Sequence, residues 1–150
     1  MNMSTLRNEI VVNAPIEKIW EALASIERLQ EYDPLVLKSV ALSQAKSGLD
    51  AKRKVNMKDG KKWFEEKVVI FQPNKAIAYQ LTDCSFPIDG LKHSYSFEKL
   101  DQGIRVMQVM EYRVKFGLLG RIMDALMIKK QTDRGIKAFF QGLKSYLEKN

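Results

Sequence analysis

Cysteine, histidine and proline are all scarce: one, one and four residues in a chain of 150. The lone Cys84 excludes an internal disulfide and fits a reducing compartment. One histidine and one cysteine, without spaced carboxylates, make no ordinary zinc site, so no metal is expected. No apolar run approaches the ~20 residues that a membrane span needs. The stretch Met1–Glu9 lacks the apolar centre of a signal peptide, so a cytoplasmic location is expected. Gly-x-Ser-x-Gly, a phosphate loop and the dinucleotide glycine pattern are all missing. Serine-type hydrolysis has no nucleophile elbow, and no cofactor is expected.

Positive charge is present in excess, at net +7. Much of it lies at Lys46, Lys52, Arg53, Lys54, Lys58, Lys61 and Lys62. One reading is a solvated hairpin whose lysines discourage edge pairing. The other is a rim that attracts an acidic ligand or, transiently, an anionic membrane. No ribonucleoprotein aromatic motif, helix-turn-helix pattern or zinc spacing accompanies the charge, so nucleic acid is not an expected partner.

The chain has no repeats and no linker, and is expected to be one domain over residues 1–150. Residues 4–13 alternate as a strand. Pro15 then suits the first turn of a helix, where its missing N–H costs nothing. Ile16, Ile19, Trp20 and Leu23 share one side of that helix. A second short helix is predicted over 25–31, closed by Pro34. Strands are predicted at 35–44, 51–58, 62–72, 75–82, 90–100 and 103–114. Turn chemistry separates them at Ser47-Gly48, Asp59-Gly60, Pro73-Asn74, Asp89-Gly90 and Asp101-Gln-Gly103. Residues 118–148 have helical period, with apolar blocks at Leu119–Leu126 and Ile136–Leu147. Between the blocks, Lys130 and Asp133 fall near the apolar face, so the helix either breaks there or turns a polar group inward.

This order gives an α+β fold. A seven-stranded curved antiparallel sheet would wrap the long C-terminal helix, with two short helices after the first strand. The inward stripes would be Ile77, Tyr79 and Leu81; Leu91, His93, Tyr95 and Phe97; and Ile104, Val106, Gln108, Met110 and Tyr112. A single helix does not fill such a hollow. Aromatic groups with polar tips, together with methionines, suit a cavity that takes an apolar guest.

The stretches Ile10–Leu23, Tyr32-Asp-Pro34, Val68–Pro73 and Glu111–Arg121 carry a resemblance. On these the chain resembles the START-like helix-grip superfamily, in particular the polyketide cyclase/dehydrase and lipid-transport (SRPBCC) family. The tryptophan often found near Tyr32 in such proteins is replaced here by Gln30-Glu-Tyr-Asp. The resemblance implies an internal cavity for a small hydrophobic molecule, lipid, polyketide-like or isoprenoid. It leaves open whether a reaction occurs, and the oligomeric state is not legible.

The expected ligand-binding set is Tyr79, Leu81, His93, Tyr95, Phe97, Gln108, Met110 and Tyr112, with Met123 and Phe140 from the helix. An enzyme of cyclase, dehydratase or aromatase type would draw its catalytic residues from His93, Tyr95 and Glu66. His93 would serve as acid or base, with Tyr95 or Tyr112 donating to an enolate. Its partner would be Glu66, Arg53 or Tyr95. Alternatively His93 is a wall residue satisfied by a hydrogen bond, and Glu66 belongs to an outward Glu65-Glu66-Lys67 cluster. Met107, Met110, Met123 and Met127 are expected to fill space rather than form a cofactor box. Gly117–Gly120 reads as a turn into the helix or a hinge at the cavity mouth. Leu118, Leu119, Ile122, Met123, Leu126 and Met127 are expected to pack on the sheet; the alternative is a membrane-dipping face.

Overall fold

The computed structural model describes residues 3–149. Seven antiparallel strands lie in the order β1-β7-β6-β5-β4-β3-β2. They are β1 (Ser4–Val12), β2 (Val36–Ala41), β3 (Lys52–Met57), β4 (Trp63–Gln72), β5 (Ala76–Cys84), β6 (Ile88–Leu100) and β7 (Gly103–Val114). The curved sheet grips a C-terminal helix of 32 residues. This is the expected helix-grip architecture.

Helix α1 (Ile16–Ala24) follows Pro15 directly and buries Ile19, Trp20 and Leu23. The expected second helix is only one 3-10 turn, Leu29–Glu31. Backbone groups ahead of it are spent on β2 and on the loop that follows it instead. The Ile26 N–H donates to Lys46, and the Ile26 carbonyl accepts from the Ser39 hydroxyl. A carbonyl engaged in this way no longer closes a helical turn.

The long helix does not break at 129–134. Its first part, α2 (Gly117–Met123), passes through a π segment, Asp124–Ile128, into α3 (Lys129–Glu148). Asp133 stays at its edge, where its carboxylate accepts from Asn8 and Lys137. Gly117–Gly120 is therefore the first turn of the helix itself, entered through Phe116 at φ 74°. At Gly142 α3 passes close to the backbone of Tyr32. A Cβ there would lie 1.9 Å from the Tyr32 carbonyl oxygen.

Of two irregularities between β4 and β5, the first places its extra residue, Thr82, in β5, and the second places Val69 in β4. Register shifts occur between Glu65 and Glu66 and between Val68 and Ile70. A bulge re-aims the residues beyond it. Phe64, Glu66 and Val68 share the concave face, and past the second bulge Phe71 takes over, packing on Trp20 with ring centroids 5.2 Å apart. The end of the interior near α1 is solid, with Val12, Ile19, Val106, Phe140 and Leu143 buried together. Among the described residues, no helix is long and apolar enough to cross a membrane.

Candidate functional site

The other end of the interior is hollow. A cavity of about 370 Å³ lies between the sheet and the helix. Its apolar wall includes Met57, Phe64, Leu81, Phe86, Ile88, Leu91, Met110, Ile136 and Phe139. Asp33, Leu35, Lys62 and Gln131 also line it. Small-molecule sites have this form, mostly apolar with a few polar groups that fix orientation.

Those polar groups are linked in one chain. Glu66, 1% exposed, projects from β4 between Arg53 of β3 and His93 of β6. Arg53 Nε donates to Glu66 Oε2 at 2.8 Å, with Nη2 at 2.7 Å from the same oxygen. His93 Nε2 lies 2.7 Å from Glu66 Oε1, and His93 Nδ1 lies 3.0 Å from the Tyr95 hydroxyl. Gln108 Nε2 donates to the Tyr95 oxygen at 2.8 Å.

At the carboxylate the sense of the chain is fixed. A carboxylate only accepts, so His93 Nε2 carries hydrogen and donates to Glu66. Tyr95 accepts from Gln108, and where His93 Nδ1 is bare the Tyr95 hydrogen is directed to it. A second proton on the ring would occupy Nδ1 and free the Tyr95 O–H for the cavity. Burial pushes the Glu66 carboxyl up, but His93 and Arg53 outweigh it and hold the group at about 2. Burial drives the Tyr95 hydroxyl well above its ordinary range, so it stays protonated.

Tyr79 supports the cluster from behind. Its ring stacks on His93 with centroids 5.2 Å apart, and the Arg53 guanidinium lies 4.3 Å from its centre. Its hydroxyl donates to the Leu23 carbonyl at 2.5 Å, tying the cluster to α1. Two atoms of the cluster have no partner among the described residues: Arg53 Nη1 and Gln108 Oε1. Their residues are only 4% and 3% exposed, and both line the cavity.

The structure brings Leu81, His93, Tyr95, Gln108 and Met110 of the expected set to the cavity, together with Glu66. The open phase of β4 thus resolves with Glu66 inward. The other five expected residues do not line the cavity. Tyr79 is sealed beneath the His93 ring. Phe97 lies at the solid end, 6.3 Å from the Trp20 ring. The Tyr112 hydroxyl donates to Asp124 at 2.6 Å, under the π segment. Phe140 packs on Phe139 and the back of Tyr95. Met123 precedes the π segment, whose extra residue leaves Ile128, Thr132, Ile136 and Phe139 facing the cavity.

Arg53 is not part of the surface charge cluster. Its neighbours in strand phase, Ala51 and Val55, are buried apolar residues, and that alternation was the available signal. Cys84 ends β5, and its thiol faces the Phe86 and Ile88 carbonyls. Phe64, Phe86 and Phe139 are lining residues that strand and helix phase alone did not single out. Leu118, Leu119, Ile122, Leu126 and Met127 do not pack on the sheet; all are exposed.

A family profile described as polyketide cyclase/dehydrase and lipid transport matches residues 3–148. Comparison with curated proteins finds no significant sequence match. Among solved structures, the Zhui aromatase/cyclase from Streptomyces sp. R1128 superposes with a TM-score of 0.82 at 15% identity, over 98% of this chain and 94% of that one. A START superfamily protein from Mycobacterium smegmatis gives 0.75 at 17% identity, over 98% and 97%. Ara h 8.0201 gives 0.79 at 15% identity, over 99% and 100%. At such identities the likeness is one of fold.

Proposed function

The chain belongs to the polyketide cyclase/dehydrase and lipid transport family, and on that premise we propose that it binds and carries a small hydrophobic molecule bearing an oxygen function. The observation that carries this reading is the apolar cavity lined by the buried polar chain, in which Arg53 and Gln108 each keep one covered polar atom, Nη1 and Oε1, without a partner among the described residues. Burial of the guest's apolar surface supplies affinity at ~25 cal/mol per Å². Arg53 Nη1 offers a charge-assisted hydrogen bond to a carbonyl, phenolate or carboxylate oxygen. Gln108 Oε1 takes a hydroxyl hydrogen from the same guest. A buried donor or acceptor left unmade costs ~1–3 kcal/mol, so a guest that satisfies both is favoured over a plain hydrocarbon.

Native mass spectrometry of protein purified from its own cells, followed by extraction, tests this. An oxygenated hydrophobic molecule is expected, displaced in competition with a fluorescent apolar probe. Protein that carries nothing and leaves such a probe dark would sink the reading.

A second reading is an enzyme of cyclase or dehydratase type, favoured by the Glu66–His93–Tyr95 chain reaching the cavity wall. His93 would accept a proton relayed through Tyr95, with Glu66 stabilising the imidazolium. Incubating the extracted guest with the protein separates the two readings. Recovery of the guest unchanged leaves carriage; loss of water or ring closure, abolished in His93→Gln, supports catalysis.

A further inference from the structure

We infer that the exposed apolar face over residues 116–127 is a docking surface for an anionic lipid bilayer. Phe116, Leu118, Leu119, Ile122, Leu126 and Met127 are all half or more exposed, with Leu118 at 67% and Leu126 at 68%. They follow one another over three turns of helix. Single exposed apolar residues are ordinary, but a contiguous group of this kind marks an interaction site.

Charge identifies the partner. Lys115, Arg121, Lys129 and Lys130 are exposed around the face. The only carboxylate between residues 115 and 132 is Asp124, which is buried and accepts from Ser4 and Tyr112. Within residues 115–132 the exposed side chains therefore include no anion, and Asp89, on the strand beside Lys115, is paired with Arg113. A helix with apolar side chains between flanking cations lies at a membrane interface, with its charges at the headgroups. A second copy fits poorly. A two-fold contact would set the same four cations against one another.

Position agrees with this partner. The Lys115 N–H donates to the Pro87 carbonyl at 3.0 Å, which ties the start of the face to a wall of the cavity. Past its other end, Ile128, Gln131 and Thr132 line the cavity too. A bilayer seated on the face therefore lies beside the hollow end, whatever the cavity holds.

The test is sedimentation of the full chain with vesicles at low salt, which needs no guest and so fails or succeeds apart from the carriage reading. Binding is expected to equimolar phosphatidylcholine–phosphatidylglycerol vesicles and to be far weaker to phosphatidylcholine alone. Leu118→Ser/Leu126→Ser should weaken binding on the order of a hundredfold, and Lys129→Gln/Lys130→Gln about fivefold per charge. Lys58→Gln/Lys61→Gln in the basic hairpin should stay within about twofold if the face, rather than net charge, carries the contact. No binding to the anionic vesicles would overturn the inference. So would equal losses in the hairpin and face variants, or a dimer in solution that the leucine variant dissolves. Should the leucine variant fail to fold, the Lys129/Lys130 pair still decides.

Discussion

The two ends of the interior are built from the same strands and the same helix, yet they do different work. Along β6, Phe97 meets Trp20 in solid packing, while Leu91, His93 and Tyr95 face open volume. Along the helix, Phe140 and Leu143 are buried, while Thr132, Gly135 and Ile136 border the cavity. The solid end supplies stability through close packing. The hollow end forgoes that packing, and a buried polar cluster stands at the boundary. Substitutions should therefore register in stability at one end and in guest affinity at the other.

The boundary should be the most sensitive point. Glu66→Gln leaves the Arg53 charge buried without its counter-ion and is expected to cost about 3–5 kcal/mol in chemical denaturation. Because the native carboxyl is held at about 2 against an ordinary 4.5, its contribution is whole above the higher value and is lost as pH falls toward the lower one. The gap between wild type and Glu66→Gln should thus narrow on acidification through that window. A gap that is independent of pH would assign the loss to shape rather than charge.

Next comes a matched pair of truncations. Leu143→Ala at the solid end should cost about 2–5 kcal/mol and leave probe affinity unchanged. Met110→Ala, at a half-buried cavity wall, should cost less and change probe affinity instead. Equal stability losses would erase the distinction between the two ends.

Two glycines of α3 sharpen it further. Gly142→Ala forces the helix away from the Tyr32 carbonyl and should cost about 1–3 kcal/mol. Gly135→Ala meets nothing within 4 Å and removes a helix-weakening residue. It should raise stability by about 1 kcal/mol and narrow the cavity by a methyl. Smallest of all is Leu126→Ala on the free face, expected within about 0.5 kcal/mol of wild type in thermal unfolding.

Most of this architecture was legible in the sequence because periodicity and turn residues report it locally. Pro15, Asp59-Gly60 and the alternation of β6 and β7 each mark an element whose signal lies within a few residues. The site was legible only in part. His93, Tyr95 and Gln108 follow from strand phase, and Glu66 keeps the phase of Phe64 and the buried Val68, but the bulge at Val69 hides that phase from the end of the strand, and a bulge leaves no clear local pattern. Arg53 was hidden among lysines, although the apolar residues at positions 51 and 55 bracket it. The outward face at 118–127 departs from the sequence expectation for a physical reason. An apolar helical stripe records that a face avoids water, not which surface will cover it.

The π segment at Asp124–Ile128 makes the helix a phase-shifted pair rather than one rod. Each residue of an α-helix advances the side chains by about 100°. Deleting one residue there would convert the segment to ordinary helix and rotate everything ahead of it by about that angle. Asp124 would swing away from Ser4 and Tyr112, and the leucines now outside would turn toward the sheet. A single missing codon would thus act as a change of orientation, turning the segment by more than a quarter of a revolution while its composition stayed otherwise the same.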